Sequence, residues 1–133
     1  MNKEALYELA EKEHISVFFG DFSAVGSMSV DYGENGVIGM DNSLSGSNET
    51  EHLAHEMGHC IKKAFYHPYE LPAVRGKMEK KAEEWAVLQL IPLPLLRSAM
   101  SSGSELWQIA EELGYSERFV RSAFEVYRAK QMI

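Results

Sequence analysis

His55-Glu56-Met57-Gly58-His59 is the stretch on which the reading of this chain turns. Placed on an α-helix, the two imidazoles stand four residues apart and project from one face, with a carboxylate beside the first. This is the H-E-x-x-H arrangement of zinc peptidases, in which the histidines hold the ion and the glutamate handles the proton of the attacking water. Shuffling this composition produces the pattern about 2% of the time, so its surroundings must carry the assignment.

The surroundings are informative. Residues 49 to 66 read as the helix that carries the motif. Leu53, Met57, Cys60, Ile61 and Ala64 share one arc, the side expected to bury, while His55 and His59 lie roughly opposite, with Glu56 beside them. A solvated face or hydrogen-bonded core histidines would be the plain alternative. Two histidines and a glutamate in the ligand pattern, away from the apolar stripe, favour a cleft-facing metal site. A catalytic zinc needs a third protein ligand, with the fourth position left for water. The next helix, about Val74 to Ile91, turns Glu79, Ala82, Glu83, Ala86 and Leu90 inward and Lys80, Lys81 and Glu84 outward. Carboxylates within an apolar stripe are costly unless they are paired or bind a metal. One of Glu79 and Glu83 can ligate while the other accepts the second N–H of a liganding histidine. Both can instead form surface ion pairs with lysines, the reading adopted for Glu84.

These two helices together resemble the ImmA/IrrE metallopeptidase family. The residues that carry the resemblance are His55-Glu-Met-Gly-His59, then Glu79-Lys-Lys-Ala82-Glu83-Glu-Trp85-Ala86 and Leu90-Ile91-Pro92. It is clear over about residues 35 to 95 and looser in the flanks. It implies a zincin-like minimal metallopeptidase domain holding one Zn2+ through His55, His59 and Glu79, with Glu56 as the catalytic base. Glu83 falls where related zincins often carry an aspartate that orients a liganding histidine; a glutamate is longer, so Glu79 and Glu83 remain competing ligands. The resemblance also implies a narrow protein substrate, typically a helix-turn-helix repressor of a phage or other mobile element.

Ahead of the motif, Asn2 to about Glu13 reads as a capped helix. Ile15 to Phe19, Ser27 to Tyr32 and Val37 to Met40 read as short strands divided by glycines, with Gly33-Glu34-Asn35-Gly36 as a turn. The expected fold class is α+β, a small mostly antiparallel sheet packed with about five or six helices in one domain spanning residues 1 to 133. Residues 42 to 48 form a polar loop, and Asn48 with Glu51 suggests a capping box. Val37 to Met40 is expected to offer a strand edge for an extended substrate.

Beyond residue 92 the chain is expected to be helical, its 93–133 part packed on the rest. Pro92 and Pro94 break the second long helix, and Pro94 starts a short one. Ile109 to Ser116, with Val120 and Phe124 following, resembles a helix-turn-helix, with Gly114 ending one helix and Ser116 capping the next. DNA binding is thus a rival reading. Against it, residues 104 to 133 hold five Glu against three Arg and one Lys, and Glu117 and Glu125 interrupt any stripe of Arg118, Arg121 and Arg128. Packing through Leu106, Trp107, Ile109, Ala110, Phe119, Val120 and Phe124 is the preferred reading, and nucleic acid is not expected as a partner. A second rival is a metal-stabilised module that binds a repressor without cutting it.

Composition bounds the rest. The chain has 133 residues, 45% of them hydrophobic and 25% charged, and a net charge of -7, which argues against a general nucleic-acid or anionic-membrane surface. Its single cysteine, Cys60, excludes an internal disulfide and falls on the core arc, where a buried, inert thiol is expected. Residues 1 to 4 run into a charged amphipathic stretch rather than an apolar signal segment, and Val87 to Leu96 is too short to span a bilayer. The expectation is a soluble cytoplasmic protein without a membrane partner. Tyr66, His67 and Tyr69, just after the motif helix, are candidate donors to a transition-state oxyanion. His52 faces the cleft side, where a surface role is expected ahead of a second metal. His14 has no partner visible in sequence.

Overall fold

The computed structural model describes residues 1–133 as an α+β fold of six helices and a three-stranded sheet. Helix α1 spans Lys3–Lys12, followed by β1 (Ser16–Gly20), β2 (Ser27–Val30) and β3 (Val37–Asp41). The remainder is helical: α2 (Gly46–Ile61), α3 (Pro72–Leu90), α4 (Leu93–Ser102), α5 (Leu106–Leu113) and α6 (Glu117–Ala129). No helix is long and apolar enough to cross a membrane.

Asn2 starts α1 as expected, its side-chain oxygen accepting the Ala5 N–H at 2.9 Å. The sheet departs from expectation. Its order is β1-β3-β2, with β1 parallel and β2 antiparallel to β3, so it is mixed rather than mostly antiparallel. Only the turn through Gly33 and Gly36 folds back as a hairpin; residues 21 to 26 carry the chain past the place that β3 later fills. The central strand, β3, buries Ile38, Gly39, Met40 and Asp41, whereas β1 and β2 keep exposed positions. Val37 to Met40 therefore has no free edge; the edge near the motif helix belongs to β2.

Helix α2 begins earlier and ends earlier than residues 49 to 66. Its cap residue is Ser45, so Asn48 and Glu51 lie inside it and form no capping box. Glu51 is instead buried, its carboxylate accepting the Ser116 N–H at 2.8 Å and O–H at 2.6 Å, across 65 residues of sequence. After Ile61 the backbone turns left-handed at Lys63, and the Ala64 N–H reaches back to the His59 carbonyl.

The arc Leu53, Met57 and Cys60 is fully buried, as the helical phase requires, and joins a core that also takes in Ile38, Met40, Ala86, Val87, Phe119 and Val120. Helix α2 packs most tightly on α3 at Gly58, where a Cβ would lie 2.4 Å from the Ala82 carbonyl oxygen and 2.9 Å from the Ala82 Cα. Backbone cannot yield as a side chain can. Gly58→Ala should therefore push the two helices apart and destabilise the protein by about 1–3 kcal/mol, measurable as a lowered urea midpoint at unchanged m-value.

The C-terminal helices pack on this core largely as expected. Gly114 closes α5 in a left-handed conformation, and Ser116 Oγ accepts the Phe119 N–H at 3.1 Å to cap α6. Trp107 is the exception: at 55% exposed it faces outward and does not pack into the core. Tyr127 provides the extra aromatic burial, with its O–H donating to the Ile91 carbonyl at 2.7 Å.

Candidate metal centre

The Gly58–Ala82 approach brings together one face from each helix. His55 and His59 flank Gly58 on α2, and Glu79 and Glu83 flank Ala82 on α3. His55 Nε2 lies 2.8 Å from Glu79 Oε1 and His59 Nε2 lies 3.1 Å from Glu79 Oε2. The two rings stand nearly perpendicular, with centroids 5.0 Å apart. The ligand atoms of His55, His59 and Glu79 all fall within 4.8 Å of one another, so this group could hold a metal ion.

The opposite ring nitrogens show how the site is oriented. His55 Nδ1 pairs with Glu83 Oε1 at 2.9 Å, and His59 Nδ1 with the Ala64 carbonyl at 2.6 Å. Both outer partners are acceptors, so each Nδ1 carries a proton, and each Nε2 faces Glu79 as an N–H in the metal-free protein or as a lone pair toward a bound metal. Two lone pairs facing one carboxylate are tolerable only with positive charge between them, supplied by protons or by a metal. The donor set, two imidazoles and a carboxylate, fits a divalent ion with nitrogen and oxygen preference. It also separates the two glutamates: Glu79 meets the inward nitrogens and Glu83 orients His55.

The electrostatics agree. Burial opposes a charge on His55, but the hydrogen bonds to Glu79 and Glu83 outweigh it and push its pKa up to about 10. His59 is raised for the same reasons, with burial overcome by Glu79 and the Ala64 carbonyl. Burial likewise disfavours charge on Glu79, yet His55, His59 and Tyr66 hold its carboxyl well below the usual range. Glu83 is also lowered, where His55 and Ser122 outweigh burial.

Tyr66 is the one oxyanion candidate that the fold brings to the site. Its O–H donates to Glu79 Oε2 at 2.6 Å, which, with burial, raises its pKa to about 12. His67 and Tyr69 do not line the cleft; His67 Nδ1 accepts the Tyr69 N–H at 3.1 Å, and the Tyr69 side chain is 91% exposed. Glu84 makes an ion pair with Lys130 at 2.8 Å, and exposed His14 lies 3.6 Å from Glu34. Cys60 is free and fully buried, and burial raises its thiol to about 12.

A cleft of about 800 Å³ opens over the centre, lined by Glu56, His55, His59 and Glu79, by β2 residues Ser27 to Val30, and by Arg75 and Arg118. Glu56 itself is only 7% exposed. Several participants carried no signal in the sequence. Arg118 lies 3.3 Å from Glu83 and 3.7 Å from Glu51, and Ser122 Oγ donates to Glu83 Oε2 at 2.7 Å. Helix α6 thus braces the carboxylate that orients His55. Ser27 Oγ donates to Glu56 Oε2 at 2.8 Å and lies 2.7 Å from His52 Nδ1, so His52 has an interior partner rather than a purely surface role. Each contact joins residues far apart in the chain, beyond the reach of local periodicity. No family model matches the chain, and no match was found among curated proteins.

Proposed function

We propose that this protein is a zinc-dependent endopeptidase. The observation that carries the reading is the convergence of His55 Nε2, His59 Nε2 and Glu79 in an open cleft that the buried Glu56 also lines. Two imidazoles and one carboxylate form the ligand set of hydrolytic zinc sites that keep a position for water. When bound there, zinc supplies Lewis acidity, making water a nucleophile near neutral pH and polarising a carbonyl. The protein's own groups perform the remaining tasks. Glu56 takes the proton of the attacking water and returns it to the leaving amine. Glu83 and the Ala64 carbonyl hold the rings of His55 and His59 in one tautomer. Tyr66 lines the same cleft and would donate to the oxyanion on releasing its hydrogen bond to Glu79. An extended peptide can add to the free edge of β2, whose residues line the cleft.

The resemblance to ImmA/IrrE peptidases supports a helix-turn-helix repressor as the substrate and the cytoplasm as the site of action. The DNA-binding alternative loses support from Arg118, which is committed to Glu83 and Glu51 rather than free for phosphates. Zinc-loaded protein incubated with a peptide library and with purified helix-turn-helix repressors should show cleavage by mass spectrometry that a chelator stops. Glu79→Ala should lose both the zinc and the cleavage. Stoichiometric zinc in that variant would move the ligand role elsewhere.

A further inference from the structure

We propose that Ser27 and His52 are positioning residues for Glu56, a role that rests on the peptidase reading. Glu56 follows a metal-ligand position on α2, and its carboxylate is buried at the cleft floor. Its one side-chain hydrogen bond within the protein comes from Ser27 Oγ, at 2.8 Å to Oε2. The same hydroxyl is 2.7 Å from His52 Nδ1. A serine hydroxyl has a single proton, and the 2.8 Å bond to Glu56 Oε2 uses it. The Ser27 proton therefore goes to Glu56, and the hydroxyl must accept its second bond from His52 Nδ1–H. One tautomer of His52 is imposed, and the chain of donation runs from His52 through Ser27 to Glu56.

The geometry ties three elements to this purpose. Ser27 opens β2, and its register opposite Met40 of β3 holds its position. His52 sits one turn ahead of Glu56 on α2. Just before Ser27, Gly26 has φ of +81°, and a Cβ there would lie 2.8 Å from the His52 ring, so the bare backbone makes room for the imidazole. With Oε2 held by Ser27, Oε1 is the oxygen without a protein partner, free to take a proton from the substrate side. A carboxylate fixed in one rotamer meets the reacting water without first being ordered. His52 itself lies three residues before His55 and takes no part in the ligand set.

The relay is read by nitrogen NMR on protein labelled in its histidine rings, metal-free and zinc-loaded, with no substrate present. His52 should be the neutral Nδ1–H tautomer, and Ser27→Ala should shift it toward Nε2–H while zinc stoichiometry stays unchanged. Ser27→Ala should also slow cleavage of the peptide library by about 10- to 100-fold, the cost of losing a hydrogen bond to a charged group. Ser27→Thr, which keeps the hydroxyl, and His52→Asn, whose amide N–H stands where Nδ1–H was, should recover most of the rate; His52→Leu should not. An Nε2–H tautomer in the wild type would overturn the relay and leave the peptidase reading untouched. An intact relay with Ser27→Ala cleaving at the wild-type rate would overturn the positioning role. A wild type that cleaves nothing in the library or among the repressors would overturn the peptidase reading, and the positioning role with it.

Discussion

Glu56→Gln is expected to reduce peptide hydrolysis by at least about 10²- to 10⁴-fold, the usual contribution of a positioned general base, while the protein keeps its zinc. Glutamine has nearly the same shape as glutamate and its side-chain oxygen can still accept from Ser27 Oγ, so the fold and the His55–His59–Glu79 group should persist. What it lacks is the ability to accept a proton from water. Single-turnover rates alongside metal content of the purified variant separate the two properties. Undiminished cleavage would remove Glu56 from the role of general base. Repressor binding that survives together with an unchanged biological effect would support the rival module that binds without cutting.

The metal-free protein is expected to lose stability as pH rises between about 6.5 and about 10, and zinc should remove that loss. His55 has a folded-state pKa raised from 6.5 to about 10 by Glu79 and Glu83 against the cost of burial. Its protonated form therefore favours the folded state. This contribution is complete below 6.5 and disappears as pH climbs through about 10. Glu79 behaves in the opposite sense. Held below its ordinary value of 4.5, it contributes above that pH, and the contribution is lost as acid titrates the folded-state carboxylate. A bound ion replaces the protons between the Nε2 atoms and Glu79, so the alkaline loss should vanish, and acid should release the metal instead. Free zinc at 100 times its dissociation constant should add about 2.7 kcal/mol to stability. Urea titrations at pH 6.5, 8 and 9.5, with chelator or with zinc, measure both effects. Equal metal-free stability at all three pH values would contradict a proton-bridged cluster.

Much of the site is legible in the sequence. His55 and His59, like Glu79 and Glu83, are four apart, and the 3.6-residue turn places each pair on one face. The apolar arc of Leu53, Met57 and Cys60 showed which side of α2 would bury, and so which side would remain for chemistry. Turn chemistry likewise announced Asn2, Gly114 and Ser116 as helix boundaries. Legibility failed where a partner had to come from elsewhere. Glu51 looked like a capping residue because capping boxes are local patterns, yet its carboxylate is claimed by Ser116. Trp107 looked like core because it is large and apolar, but an amphipathic helix of eight residues buries only one narrow face, here Ile109 and Ala110.

By itself, then, the sequence determined which residues could serve a metal and which helices would carry them, because helical phase is a property of a single segment. The tertiary structure alone decided which carboxylate meets the inward nitrogens, that β3 lies between β1 and β2, that Ser27 and Arg118 belong to the site, and that His52 meets Ser27 there. Those outcomes depend on how separate elements approach one another. Here the approach is governed by the absence of a side chain at Gly58, which lets α2 settle against the Ala82 backbone and brings Glu79 within 2.8 Å of His55.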